Sequence, residues 1–480
     1  MKFMTIRDYR PKIHFSARKG WLNDPNGLLY KDGVWNLYFQ HNPEDCFWGP
    51  MHWGHAVSSD LIHWTELPIA IWPTDQEFIF SGSMVYDREN TSGLAGKNPL
   101  TGELIPPMVA AYTSHDPETN VETQSLAYSH DMGISFQKYE GNPVIKEEYR
   151  DGKVLLDFRD PKVFWNEKKD RWCMILSAFD QVEFYASDDL KNWTKTGQVT
   201  HPFTEITNCF ACSDLVRFDT EDGEKWVLMI SLEDRPGDPM ARTLYLIGSF
   251  DGDTFTVTDP TDEPLWIDFG WDNYAGVSFN DTEKPIMINW GVNPRYANFV
   301  PTALNEYRCH MTLARQMSLV KCTVGYRLCF QPVGLAPYLG EAKSVKDGDT
   351  LYSECFHMEI HGSHGKLMFE NYHGKRVVIT VTEDKITFDR SNAGEREFHD
   401  DFCSVEYAIR TVDRYQASDL VQNGETSADI NMKLIFDVSC LEIYADGGLE
   451  TASMVVFPKD PYNKILLEGD LSVSISDIRY

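Results

Sequence analysis

One hairpin corner is spelled four times along the chain. Ser59-Asp60-Leu61-Ile62-His63-Trp64 is followed by Ser129-His130-Asp131 with Phe136, by Ser187-Asp188-Asp189-Leu190-Lys191-Asn192-Trp193, and by Ser249-Phe250-Asp251 with Phe255. Each copy joins a polar turn to an aromatic residue that anchors the next strand. The aspartates recur at roughly 60 to 70 residues, the length of one four-stranded blade with its loops. A second series marks the other end of each unit: Asp24, Ser81, Asp160, Asp214 and Tyr274 each begin an apolar run, from Gly27-Leu28-Leu29-Tyr30 to Ala275-Gly276-Val277-Ser278-Phe279. Five starts predict five blades whose innermost strands converge on one channel, gathering residues far apart in sequence at a single mouth.

Helical periodicity is scarce elsewhere, and short runs rich in β-branched and aromatic residues alternate with turn pairs, so the chain reads as all-β. After Leu313-Ala314-Arg315-Gln316-Met317-Ser318-Leu319 the pattern changes. Residues 1–330 are expected to form the propeller, 331–349 a connector, and 350–480 an antiparallel β-sandwich with strands at Cys355-Phe356-His357-Met358-Glu359-Ile360, Val377-Val378-Ile379-Thr380-Val381 and Leu441-Glu442-Ile443-Tyr444-Ala445. No catalytic constellation stands out in the sandwich, whose expected roles are support and homo-oligomerisation.

A chain of 480 residues exceeds a single ordinary core, in keeping with two domains. The formal net charge of −29 opposes nucleic acid and anionic membrane as partners, while a neutral ligand meets no such repulsion. No stretch has the apolar length of a signal peptide or a membrane span, and the ten cysteines are scattered, so a reducing, cytoplasmic setting is expected. Cys209-Phe210-Ala211-Cys212 spells C-x-x-C without a second pair, and His52 and His55 have no complement at ligand spacing; neither a metal nor another cofactor is expected.

Chemistry concentrates in Trp21-Leu22-Asn23-Asp24-Pro25-Asn26-Gly27. Pro25 pushes Asp24 toward extended backbone, and Asn26-Gly27 is a turn pair, so Asp24 is expected where a strand meets a turn. Trp21 offers a face for a sugar ring, and Asn23 a donor and an acceptor for hydroxyls.

With Tyr38-Phe39-Gln40-His41-Asn42-Pro43, Phe47-Trp48-Gly49-Pro50-Met51-His52-Trp53-Gly54-His55, Phe80-Ser81-Gly82-Ser83, Phe158-Arg159-Asp160-Pro161-Lys162, and Leu434-Ile435-Phe436-Asp437 through Phe457-Pro458, this stretch resembles glycoside hydrolase family 32, the invertases, fructanases and sucrose-6-phosphate hydrolases. The resemblance covers nearly the whole chain. It implies a five-bladed β-propeller followed by a β-sandwich, and retaining hydrolysis of β-fructofuranosyl bonds in sucrose or short fructo-oligosaccharides. It implies Asp24 as nucleophile and Asp160 as transition-state stabiliser, with Arg159 favouring the ionised form of Asp160 and donating to hydroxyls. Gln40, Trp48, Phe80 and Ser81 then line the fructose pocket, and Tyr274, Trp271 and Trp290 the wider mouth.

The chain departs from the family at one position. The family's acid/base glutamate belongs to a Glu-Cys-Pro-Asp-Leu-like motif, and the matching stretch here is Ala211-Cys212-Ser213-Asp214-Leu215. A methyl group has no proton to give, so the bond-breaking step should fail for ordinary leaving groups. The preferred account is a substitution introduced into an active enzyme to hold intact substrate. A natural, non-catalytic fructoside-binding relative, and an acid shifted to Glu205 or Asp214, are the other two. A fructosyltransferase, passing the same intermediate to a sugar, is a further alternative.

Overall fold

The computed structural model describes residues 7–203, 209–233, 241–322, 324–403, 405–409 and 429–480. It divides into two compact units. One comprises residues 20–265 and 275–289; the other comprises 1–19, 266–274 and 290–480.

Among the described residues, the first unit includes four antiparallel ladders of four strands each. They run Gly20–Lys31, Val34–Asn42, His52–Ser58, Thr65–Ile71; Phe78–Tyr86, Met108–His115, Glu122–Ser129, Gln137–Lys138; Phe158–Asn166, Arg171–Ala178, Gln181–Ser187, Thr194–Val199; and Phe210–Thr220, Gly223–Leu232, Arg242–Phe250, Phe255–Val257. Leu29, Trp53, Ile79 and Met84 pack the first sheet on the second, and Val85, Val109, Phe158 and Val163 the second on the third. A narrow channel is lined by Pro25, Ser81, Asp160 and Cys212 from the leading strands of these sheets, joined by Val277 and Ser278 from the strand Tyr274–Ser278. Such convergence is the β-propeller arrangement.

Each corner of the repeat is closed by its aspartate. The Ser58, Ser129 and Ser187 hydroxyls donate to Asp60, Asp131 and Asp189, which with Asp251 cap backbone N–H groups two to four residues on. The serine of the first copy is Ser58, one residue earlier than the Ser59 read from the sequence. The residue after each aspartate is left-handed: Leu61 at φ +68°, Met132 at +62°, Leu190 at +63° and Gly252 at +96°.

Within the leading strands the sequence reading needs correction. Strands begin at Gly20, Phe78, Phe158 and Phe210, ahead of the polar residues taken as their starts. Asn26-Gly27 makes no turn; both lie inside the continuous strand Gly20–Lys31. Gly27, at φ +54°, is needed because a Cβ would stand 2.7 Å from the Tyr38 ring and 2.9 Å from that of Trp53. Instead each leading strand carries a bulge at an equivalent place. Asn23-Asp24 faces Gln40, Phe80-Ser81 faces Thr113, Asp160-Pro161 faces Leu176, and Cys212-Ser213 faces Ile230, two residues against one each time. Asp214 falls beyond its bulge and is not the counterpart of Asp24 or Asp160.

In the second unit two antiparallel sheets face each other as a sandwich. One orders Lys343–Ser344, Ser472–Asp477, Cys355–Gly362, Ile430–Asp437, Cys440–Ala445, Glu450–Val455; the other Val405–Ile409, Lys385–Asn392, Arg376–Val381, Gly365–Glu370, Lys464–Gly469. Phe356, Leu367, Phe369, Ile379, Phe388 and Phe436 are among the residues filling the space between them. Residues 266–274 belong to this unit through buried ion pairs, Asp268 with Arg315 and Asp272 with Arg390.

Met132 is 48% exposed, so its side chain has little packing to lose. Met132→Gly, relieving the left-handed strain of a corner, should raise the calorimetric unfolding midpoint, by about 0.5 to 1 kcal/mol of stability.

Candidate functional site

The bulges bring the predicted carboxylates together. The Cys212 backbone N–H donates to Asp160 Oδ2 at 2.7 Å, and the Cys212 thiol stands 3.5 Å from Asp24 Oδ2. One residue thus touches two aspartates that are 136 positions apart in the chain (160 − 24). Ser81 donates its hydroxyl to the same Asp24 oxygen at 2.8 Å, and the Asp160 N–H donates to Thr113 Oγ1 at 2.9 Å. Asp160 at φ +67° and Cys212 at φ +45° are both left-handed, a conformation costly for cysteine and held here by these bonds. Burial pushes the Cys212 thiol up, with Asp160 and Asp24 adding to the effect, so it is a neutral S–H donor.

Asp160 differs from the sequence expectation. Its burial outweighs the opposing pull of Arg159, and with Asp24 adding to the rise its carboxyl is pushed up to about 7. The Arg159 guanidinium is engaged elsewhere: Nε with Glu122 Oε2 at 3.1 Å, Nη1 with Glu233 Oε1 at 2.7 Å, and Nη2 with Asp157. Glu122 is buried and also accepts from the Phe158 N–H.

Other expected residues fall into place unevenly. Trp21 is 2% exposed, with its indole N–H donated to Asn23 Oδ1 at 2.7 Å, so it offers no face to a sugar. Both donors of the Gln40 amide are engaged, by Asn26 Oδ1 and Ile79 O, leaving its oxygen as the group free to accept from a hydroxyl. Trp48 is 47% exposed and meets Phe80 edge-on at 5.9 Å, and Phe80 stacks on His115 at 4.2 Å, forming an aromatic wall beside Ser81. Tyr274 and Trp290 are buried, 6.4 Å apart, in the second unit, so they are not free rings. Of the shifted acids, Asp214 is buried and accepts from the Leu215 and Ser278 N–H groups with Lys162 3.4 Å away, while Glu205 lies outside the described residues. Ala211 immediately precedes Cys212, which touches both aspartates, and brings no functional group.

A larger cavity, of about 990 Å³, is lined by residues at the other end of the leading strands, such as Asp87, Asn166, Arg217 and Asp281, and contains neither Asp24 nor Asp160. The narrow channel includes Asp160 and Cys212, the residue that contacts Asp24.

Residues 14–332 match the sequence profile of the glycosyl hydrolases family 32 N-terminal domain, and 343–479 that of its C-terminal domain. The chain belongs to glycoside hydrolase family 32. Among relatives of this family 32 chain, a levanase of Bacillus subtilis is 33% identical over 479 residues, covering 94% of this chain and 67% of the levanase. An invertase of Debaryomyces hansenii is 40% identical over 328 residues, 66% of this chain and 57% of that protein. Among solved structures, the exo-inulinase of Aspergillus awamori superposes with a TM-score of 0.87 at 27% identity, covering 98% and 99% of the two chains. The β-fructofuranosidase of Schwanniomyces occidentalis, complexed with fructosyl-erythritol, gives 0.81 at 28%, covering 99% and 100%.

The raised pKa of Asp160 has a stability consequence. A carboxyl near 7 in the fold and near 3.8 when unfolded favours the native state while protonated, and that contribution is lost as pH rises from about 3.8 through 7. Asp160→Asn should therefore raise the thermal midpoint at pH 8, and the gap from the parent chain should close toward pH 4.

Proposed function

We propose that this family 32 chain acts on terminal β-D-fructofuranosyl bonds of sucrose or short fructo-oligosaccharides, by double displacement with retention, using Asp24 as nucleophile and Asp160 as stabiliser of the oxocarbenium-like transition state. The observation that carries the reading is the meeting of Asp24 and Asp160 at Cys212. Asp24, fixed by Ser81, attacks the anomeric carbon; Asp160 accepts from ring hydroxyls; Asn23, Gln40 and the Trp48–Phe80 wall hold the fructosyl ring. Relatives named invertase and levanase support the substrate class. Cytoplasmic residence is part of the same reading, supported by ten free cysteines, and cell fractionation tests it.

Ala211 removes the acid from its family position, so the first step either draws a proton from another group or fails. In the second case the chain is a fructoside binder without turnover, the alternative that Ala211 itself favours. Incubation with sucrose and a kestose-type trisaccharide, followed by fructose and glucose assay, separates the two. Fructose release, with the first-formed anomer retained by NMR and at least about 10³-fold lost in Asp24→Ala, supports the hydrolase. Binding without release supports the binder, and glucose release without fructose marks transfer to a sugar.

A further inference from the structure

Ala211 pairs with Ser231 across the strands Phe210–Thr220 and Gly223–Leu232, and the ladder continues with the Glu233 N–H donating to Cys209 O at 2.9 Å. Glu233 therefore faces the same side of the sheet as Ser231 and Ala211. Diagonal neighbours in such a pair lie about 7 to 8 Å apart at the backbone, within reach of a long side chain. Arg159 Nη1, from the residue just before Asp160, holds Glu233 Oε1 at 2.7 Å. We propose that Glu233 is the acid/base of this chain, reaching across the strand pair to the place where residue 211 has no functional group. The proposal rests on the fructosidase reading above.

The charges around it fit an acid that keeps its proton. Glu122, Asp157 and Glu233 contact Arg159, and Asp160 and Asp24 are close enough to influence the cluster. One guanidinium does not balance five carboxyl groups, so the cluster carries an excess of acidic groups. Loss of water raises Glu233 above the ordinary glutamate range; Arg159 opposes, and Asp157, Glu122 and Asp24 add to the rise. Burial also pushes up the neighbouring Cys209 thiol, keeping it uncharged. The Glu233 side chain is 37% exposed, so it can exchange protons with solvent between half-reactions. Ligand-type atoms of Asp157, Cys209 and Glu233 lie within 4.8 Å of one another, a spacing a metal ion could use, but the positive charge among them is already that of Arg159.

In the first half-reaction Glu233 gives its proton to the glycosidic oxygen as the bond from that oxygen to the anomeric carbon breaks. The bonding pair stays on oxygen, and an Asp24 carboxylate oxygen forms the new bond to carbon. In the second, the Glu233 carboxylate takes a proton from water as the water oxygen bonds to the anomeric carbon and Asp24 departs.

Glu233→Gln keeps size and a hydrogen bond to Arg159 but has no proton to transfer. It should lower kcat/KM on sucrose by about 10² to 10⁴-fold while changing cleavage of a nitrophenyl β-fructofuranoside, whose leaving group needs no protonation, by less than about tenfold. The alkaline limb of the sucrose pH profile should disappear with it. Unchanged sucrose turnover, or equal loss on both substrates, overturns the assignment. So does a parent chain that binds fructose, cleaves no sucrose and gains activity as Ala211→Glu, a result that leaves the fructosidase reading standing. Inactivity of both the parent and Ala211→Glu, with no fructose binding, ends the two together. Because a misfolded Glu233→Gln would mislead, the parent is also assayed on a leaving-group series. An acid in place gives kcat/KM nearly independent of leaving-group pKa, and a steep dependence counts against Glu233.

Discussion

Two residues set against one, repeated in four neighbouring strands, is the constraint from which the candidate site follows. A regular strand would alternate its side chains strictly between the faces of its sheet. The bulges at Asn23-Asp24, Phe80-Ser81, Asp160-Pro161 and Cys212-Ser213 interrupt that alternation and re-aim polar side chains beside the channel. Left-handed backbone at Asp160 and Cys212 is disfavoured by about 1 to 3 kcal/mol for each residue. The bonds from Cys212 N–H to Asp160 and from Asp160 N–H to Thr113 offset that strain, so each bulge is stabilised by its neighbour.

The same crowding sets the electrostatics. Carboxyl groups drawn into a site with little water repel one another and lose hydration, and Arg159 compensates only part of this. The outcome is an Asp160 carboxyl pushed up to about 7 beside a Glu233 raised above the ordinary glutamate range. A fold selected for stability alone would avoid it, whereas retaining glycoside cleavage needs one carboxylate and one carboxylic acid side by side.

The sandwich unit solves a different problem by familiar means. Its two sheets bury an aliphatic and aromatic core, and the charges it does bury, such as Arg315 with Asp268 and Arg390 with Asp272, are paired through hydrogen bonds. These pairs attach residues 266–274 to the unit, a connection that strand patterning does not reveal because it depends on side chains meeting over more than forty residues of sequence.

Much of the fold was legible in the sequence, because turn chemistry and strand alternation are local. The corner aspartates, the leading apolar runs and the sandwich strands are recognised from a few adjacent residues each, and the aspartates of the candidate site stood out by their proline and aromatic neighbours. Register was not legible. Whether Asp24 or Asp214 sits in a bulge, whether Trp21 is exposed, and which glutamate lies diagonal to Ala211 all depend on which residue of the next strand lies opposite, and one extra residue in a strand changes every answer. Sequence alone thus determined that this is a β-rich family 32 chain lacking the usual glutamate at 211; only the tertiary structure, by pairing strands and expelling water between them, set Glu233 diagonally across the ladder from Ala211 and lifted Asp160 out of the ordinary carboxylate range.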